Sequence, residues 1–320
     1  MKDIYDIVAE SSKRPGESFA LATLVQAEGS SYRRPGARLL ICADGYTVGS
    51  LSGGCIEQEI AVRARSVLES GEPVIIDFDT RQRFGCHGRI DIVIEKLTER
   101  FLADIGAELE ARRSCVISTT ANGSHLDSYS VGQSGGLGWQ EDQKHSRFRY
   151  GPFVQVVDPR LQLLICGEGP DGVPMTKLCE LLGWKAVAVS EVHSLGFEVD
   201  SWTAAIVKSH NFGRDFAMLA RLLPLNLPYV GLIGPKKRRD QLLNDLLEIG
   251  VWIDARFFAP AGLDLNAETP EEIALSVISE IQRVFAKGSG QSLRDRKLPI
   301  HGAAEPPRSR HGPGWQPSAL

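Results

Sequence analysis

Short apolar runs alternate with polar, glycine-punctuated loops along the chain, and the rhythm changes near its middle. In residues 1–98, "FALATLVQA" and "ARLLICA" read as strands, apolar and partly β-branched. "GSSYRRPG" between them is loop chemistry, broken by Gly, Ser and Pro. "GYTVGSLSGG" adds a short strand and a glycine turn. A helix follows over Ile56–Glu69, with Ile56, Ile60, Val67 and Leu68 on one face. "PVIIDF" and "IDIVIEKL" are further strands, separated by the polar loop "TRQRFGCHGR". This is one α+β domain.

Residues 99–158 hold a helical stretch, "RFLADIGAELEARR", and the strand "SCVISTT". Residues 121–150 lose periodicity, so the region is expected to be a connector. From 159 to 287 strands and helices alternate. "LQLLIC" is apolar throughout, as in a parallel strand covered on both faces. Helices are expected over Gly172–Leu182, Asp215–Leu223 and Lys236–Glu248, with strands "KAVAVS", "AAIVKS" and "YVGLIG" among them and a last helix at "TPEEIALSVISEI". The pattern predicts an α/β fold, with a Rossmann-like, doubly wound parallel sheet in this second domain. Only about a dozen residues separate Glu191 from "AAIVKS", too few for a further strand and helix, so that sheet is expected to be truncated on one side. Residues 288–320, rich in Gly, Pro, Ser and Arg, cannot bury enough to offset ordering entropy and are expected to be disordered.

Composition excludes more than it selects. The 320 residues carry 42% hydrophobic and 24% charged side chains with a formal net charge of −4, ordinary for a globular chain and a poor match to nucleic acid. "MKDIYDIVAE" has charges where a signal peptide needs an apolar core, and no apolar run approaches the ~20 residues that span a bilayer. A cytoplasmic protein without membrane contact is expected. None of the six cysteines forms a C-x-x-C pair, and most read as small buried apolar groups.

The chemistry gathers at two places. In "GEGPDG", Gly167, Gly169 and Gly172 have the G-x-G-x-x-G spacing between a strand and a helix, a turn that grips phosphate, and Glu191 ends the next strand. Asp171 opposes that reading, since it is placed to cap the helix and its charge repels phosphate. The carboxyl ends of the other strands carry His193, then Ser209, His210 and Asn211, then Gly234, Lys236 and Lys237. The two lysines oppose the helix dipole, which suits either a solvated basic turn or an anion contact. Thr269, Pro270 and Glu272 read as a capping box, whereas Gly262, Asp264 and Glu268 are left as candidates for the wall of a site. In the first domain, Cys55 opens a helix and Cys86 lies between glycines in "FGCHG". Either thiol suits a metal contact, a sulfur relay or plain packing. These residues leave open a nicotinamide-dependent oxidoreductase, a thiol-based sulfurtransferase or a cofactor carrier.

"EGSSYRRPGARLLICADGYTVGSLSGGCIEQEI" and "GCHGRIDIVIE" resemble the first domain of the XdhC/CoxI family, maturation factors of xanthine dehydrogenase and carbon monoxide dehydrogenase. The glycine turn, "YVGLIGPKKRR" and "GLDLNAETPEEIALSVISEI" resemble its C-terminal Rossmann-like domain. The resemblance covers most of residues 18–98 and 160–285, and the Pro-Asp pair of "GEGPDG" departs from the usual turn. It implies a carrier of molybdenum cofactor that acts without net turnover. Such a carrier protects the cofactor, presents it for sulfuration by a cysteine desulfurase and passes it to an apo molybdenum hydroxylase. Under that reading the second domain's glycine turns and lysines take the phosphate end, and Cys55 and Cys86 face the metal or its labile sulfur. A homodimer is expected as the commonest assembly.

Overall fold

The computed structural model describes residues 2–29, 31–54, 56–79, 88–97, 99–119, 130–133, 153–190 and 199–297. The chain divides into two compact units with the boundary between Pro159 and Arg160.

The first unit begins with α1 (Lys2–Lys13). Strands β1 (Phe19–Gly29), β2 (Arg38–Cys42), β3 (Thr47–Gly49), β4 (Val74–Asp79) and β5 (Gly88–Leu97) form an antiparallel sheet in the order β3-β2-β1-β5-β4. Helix α2 (Glu57–Ser70) joins β3 to β4. Helix α3 (Glu99–Glu110) leads into a second antiparallel sheet of β6 (Cys115–Thr119), β7 (Ser130–Gln133) and β8 (Phe153–Val157), with β6 in the middle.

The period-2 geometry of a strand assigns each side chain to a face. Ala20, Ala22 and Leu24 of β1 and Leu39 and Ile41 of β2 pack with Ile60, Ala64 and Val67 of α2. Phe19, Leu21, Leu40 and Cys42 point the other way, onto Ile4 and Ile7 of α1, Phe101, Leu102 and Ile105 of α3, and Cys115 and Ile117 of β6. Both faces are therefore covered, which explains why β1 and β2 read as continuous apolar runs. Elements of the stretch expected as a connector, α3, β6 and β8, contribute to this second core. The sequence reading missed α1, whose acidic residues were read against a signal peptide; Ile4 and Ile7 anchor it.

The second unit is a five-stranded parallel sheet of β9 (Gln162–Cys166), β10 (Lys185–Val189), β11 (Thr203–Val207), β12 (Tyr229–Leu232) and β13 (Phe257–Phe258). The order is β10-β9-β11-β12-β13, so β10 is an edge and β11 lies on the far side of β9, as the short interval after Glu191 implied. Helices α4 (Gly172–Leu182) and α7 (Pro270–Ala286) cover the face carrying Leu163, Ile165, Ala204 and Ile206. Helices α5 (Phe212–Leu222) and α6 (Lys236–Glu248) cover the face carrying Leu164, Cys166, Ala205 and Val207. Helix α5 starts three residues before the expected Asp215, because the Asn211 side chain accepts a hydrogen bond from the Arg214 amide at 3.0 Å and caps it there. Strand β13 is only two residues long and gave no readable pattern.

The capping box of α7 is present: Thr269 Oγ1 accepts from Glu272 N at 3.3 Å, and Glu272 Oε2 accepts from Thr269 N at 2.9 Å. Of the expected tail, residues 288–297 are described, with a 3-10 turn at Leu293–Asp295, and 298–320 lie outside the described residues. Among the described residues no helix is long and apolar enough to cross a membrane.

Candidate functional site at the carboxyl ends of the parallel strands

The sheet order reverses between β9 and β11, and ligands of open α/β sheets collect outside the carboxyl ends at such a point. The turn from β9 into α4 lies there. Gly167 and Gly169 adopt φ of +121° and +127°, a region L side chains rarely enter. A Cβ on Gly167 would lie 2.7 Å from the Ser209 backbone, which cannot yield. A Cβ on Gly169 would lie 2.7 Å from Asp171 Oδ1, and one on Gly172 would lie 3.3 Å from Lys208 Cε. The three glycines thus make room for the turn that follows β11 and for two charged side chains of the protein itself.

Lys208 is that neighbour. It extends from the end of β11, is fully buried, and its Nζ donates to Asp171 Oδ1 at 2.7 Å and to the Glu168 carbonyl at 3.2 Å. Asp171 therefore does not cap α4, contrary to the sequence reading: its carboxylate makes no capping bond and neutralises Lys208 instead. His210, exposed and at φ +55°, brings Nε2 to 3.5 Å from Asp171 Oδ2. Burial opposes the charge on Asp171, but the hydrogen bonds from Lys208 and His210 outweigh it and hold the carboxyl below its usual range. The amides of Gly172 and Val173, which a dinucleotide turn would offer to pyrophosphate, donate to Gly169 O and Pro170 O at 3.2 Å each. The turn resembles a nucleotide grip in spacing while spending its donors internally.

A second buried charge ties this turn to the next. Asp215 of α5 accepts from Ser209 N at 3.1 Å and Ser209 Oγ at 2.5 Å through Oδ1, and pairs with Arg238 of α6 through Oδ2. Arg238 follows directly on Lys236 and Lys237, so the basic start of α6 is fastened to the β11 turn. Pro235 occupies the cap position of α6 without a side-chain bond, and Lys236 and Lys237 are exposed. This end is open to an anion in a way the α4 turn is not.

Gly262 follows β13 at φ +113°, and a Cβ there would lie 2.4 Å from Ser276 Oγ. Its amide donates to Glu280 Oε2 at 2.8 Å, and the same oxygen accepts from Tyr229 Oη at 2.9 Å. Burial first, then the Glu280 carboxylate, pushes the Tyr229 hydroxyl far up, so it stays a donor. Packing therefore accounts for Gly262. Asp264 and Glu268 lie exposed on the loop leading to α7.

The structure thus brings Gly167, Gly169, Gly172 and His210 together and sets Gly234, Lys236 and Lys237 on the neighbouring strand end. Cys55, Cys86, Glu191 and His193 lie outside the described residues. Cys42, Cys115, Cys166 and Cys179 are buried and free, and burial pushes their thiols up, to about 11 for Cys115 and about 12 for Cys166 and Cys179. Among the described residues no group of three His, Cys, Asp or Glu is arranged to hold a metal ion. Sequence reasoning missed Lys208, Asp215 and Arg238. The available signal was Lys208 itself, a cation closing an otherwise apolar buried strand.

Comparison with known proteins agrees with this architecture. A family model described as the XdhC and CoxI family matches residues 12–79, and one described as the XdhC Rossmann domain matches residues 163–281. The chain is 29% identical over 314 residues to a Bacillus subtilis (strain 168) protein named as a probable xanthine dehydrogenase subunit, covering 83% of this chain and 92% of that one. It is 24% identical over 298 residues to the "Molybdenum cofactor insertion chaperone PaoD" of Escherichia coli (strain K12), covering 84% of each. A crystal structure described as a xanthine dehydrogenase from Bacillus halodurans shares the fold, with a TM-score of 0.77 at 24% identity over 92% of this chain and 98% of that one. The two matched segments span more than half of the sequence, in the order and on the elements set out above, and the chain belongs to the XdhC/CoxI family.

Proposed function

We propose that this chain is a maturation chaperone for a xanthine dehydrogenase-type molybdenum hydroxylase. It binds molybdenum cofactor, protects it, presents it for sulfuration by a cysteine desulfurase and inserts it into the apo-enzyme, working in the cytoplasm as a homodimer without net turnover. The observation that carries this reading is the similarity, over 84% of both chains, to a protein named as a molybdenum cofactor insertion chaperone.

The site geometry supports a carrier over a hydride-transfer enzyme. The β9–α4 turn has its helix-start amides engaged and Asp171 paired with Lys208, so its glycines shape the rim and leave no ready pyrophosphate seat. The phosphate end of the cofactor fits the start of α6, where Gly234, Lys236 and Lys237 meet uncapped helix amides. His210 offers an exposed hydrogen-bonding ring on the same rim, and Gly262, Asp264 and Glu268 border it. Cys55 and Cys86 are the thiols assigned to the metal. When bound, the cofactor supplies the molybdenum centre for the recipient enzyme; the chain's own task is to hold it and release it.

The test is co-purification followed by metal and pterin analysis. Molybdenum and pterin in near-equal amounts should stay with the protein through gel filtration, at the mass of a dimer, while NADH should not. Lys236→Glu with Lys237→Glu should weaken retention, each lost charge-assisted bond being worth about 1.5–3 kcal/mol. Tight NADH binding with substrate turnover, and no pterin, would sink the reading.

A further inference from the structure

The loop "GSSYRRPG", a plain turn by composition, walls a cleft of about 320 Å³ in the first unit. Arg33, Arg34 and Tyr32 line it from the loop, Arg38 from β2, Asp3 from α1 and Gln155 from β8. The loop is firmly built. Gly36 N donates to Leu24 O at 2.7 Å, Leu24 N to Ala37 O at 3.0 Å, and Ser31 Oγ to Arg33 O at 2.7 Å. Gly36 has φ of +97°, and the Gln155 side chain occupies the space a Cβ would need, 2.2 Å away.

Arg38 is the unusual residue. It is 3% exposed, and its Nη1 donates to Gly36 O at 3.1 Å and to Gln155 Oε1. Its Nε and Nη2 have no hydrogen-bond partner among the described residues. Those two nitrogens form one edge of the planar guanidinium, the edge that meets two oxygens of one phosphate or carboxylate side by side. The clamp on Nη1 fixes the plane and leaves that edge unspent. Burial lowers the group to about 10, so it remains a cation at neutral pH. The buried Glu95 favours the charged guanidinium through space without an ion pair between them, and burial pushes its own carboxyl well above its ordinary value. In the cleft, Asp3 is paired with Arg33 and reaches Arg38 only through space, which leaves Arg34 and Arg38 without an ion pair among the described residues. Two cations and a free fork suit a dianionic phosphoryl group better than a single carboxylate.

We propose that this cleft is a phosphate-binding site, in which the free edge of Arg38 and the guanidinium of Arg34 take the phosphoryl end of a ligand. Tyr32, 69% exposed at the mouth, gives that ligand a ring to stack on, so the class is a phosphorylated heteroaromatic. Nε and Nη2 are shielded from water in the cleft, so the ligand must displace what covers them; Tyr32 and Arg34 are exposed side chains of the lining. This is an anion site separate from the α6 start, to which the reading above gives the cofactor's phosphate end, and it does not rest on that reading.

The test titrates inorganic pyrophosphate into the full chain by calorimetry, with acetate as the single-carboxylate control. Saturable, salt-weakened binding of pyrophosphate and none of acetate are expected. Arg34→Gln, at an exposed position, should weaken binding about tenfold, and Arg38→Lys, which keeps the charge and removes the fork, at least as much. Arg100→Gln on α3 removes an exposed charge elsewhere in the unit and should leave the affinity unchanged. If Arg38→Lys fails to fold, Arg34→Gln alone decides. Absence of saturable binding, or equal affinity in Arg34→Gln, overturns the site, as does binding abolished by Lys236→Gln but indifferent to Arg34→Gln. Pyrophosphate bound as expected with no pterin retained leaves this site standing and removes the molybdenum reading. Pyrophosphate bound equally by Arg34→Gln, with cofactor still retained, removes this site and leaves that reading.

Discussion

Each unit buries a cation beside a loop of chemical interest, and the two cations are treated differently. Lys208 in the parallel-sheet unit has a carboxylate at 2.7 Å and a carbonyl at 3.2 Å. Arg38 in the antiparallel unit has one carbonyl and one amide oxygen, both on Nη1, and two nitrogens left over. Taking a charge out of water is expensive unless a counter-charge goes with it. Lys208 is therefore part of the architecture: it fills the space beneath the glycine turn and fastens β11 to α4. Arg38 has only hydrogen bonds on Nη1 and the through-space pull of Glu95 and Asp3, with no ion pair among the described residues, which leaves it able to take an anion. The glycine turn, where spacing alone pointed to a ligand, is the more self-contained of the two.

The largest expected effect breaks the paired case. Asp171→Ala leaves the fully buried Lys208 without its counter-charge, and should cost about 3 kcal/mol, the low end for an orphaned buried charge, because Asp171 is partly exposed and water can follow. Urea denaturation of the full chain measures it. A loss within about 0.5 kcal/mol, the range of an ordinary surface change, would mean that the pair does not hold the turn. The unpaired case should respond much less. Arg38→Met keeps a long apolar stem and removes a buried charge that has no ion pair among the described residues, so the lost Nη1 bonds and the relieved desolvation should nearly cancel, within about 1 kcal/mol. A loss as large as that of Asp171→Ala would erase the contrast and make Arg38 structural too.

What was legible in the sequence was local. The α7 capping box lies within four residues and could be read directly from Thr269 and Glu272. Strand β9, buried at all five positions, announced itself by composition. The narrow sheet could be inferred because one short interval had no room for another crossover. The partners that decide the chemistry are distant in sequence: Asp171 and Lys208 are 37 residues apart, and Arg38 and Gln155 are 117 apart. A capping role was the nearest explanation for an aspartate before a helix, and it lost because a buried lysine with no other carboxylate bonded to it among the described residues competes more strongly than helix amides do. The loop with Arg33 and Arg34 looked like a turn because half of its site, Gln155 and Asp3, comes from other elements. Family resemblance identified which segments matter, but not which of their side chains are already spent.

The smallest effect, and the sharpest for the contrast, is in the pH dependence of stability. The folded Asp171 carboxyl lies below its usual value, since the hydrogen bonds from Lys208 and His210 outweigh the opposing effect of burial. Its contribution is complete above the unfolded value of about 3.9 and is lost as pH falls through the lower folded value. Glu95, on the same face of the first sheet as Arg38, has the opposite sign. Burial raises its folded carboxyl well above the ordinary range against the weaker pull of Arg38. It favours the folded state below the unfolded value of about 4.3, and that contribution is lost as pH rises through the raised folded value. Urea midpoints across the pH range should therefore separate the units. Asp171→Asn should flatten the acid side of the profile, and Glu95→Gln should flatten the decline toward higher pH. Were both variants to follow the wild-type profile in parallel, neither carboxyl would be coupled to its neighbouring cation as described, and the two buried cations would no longer differ in kind.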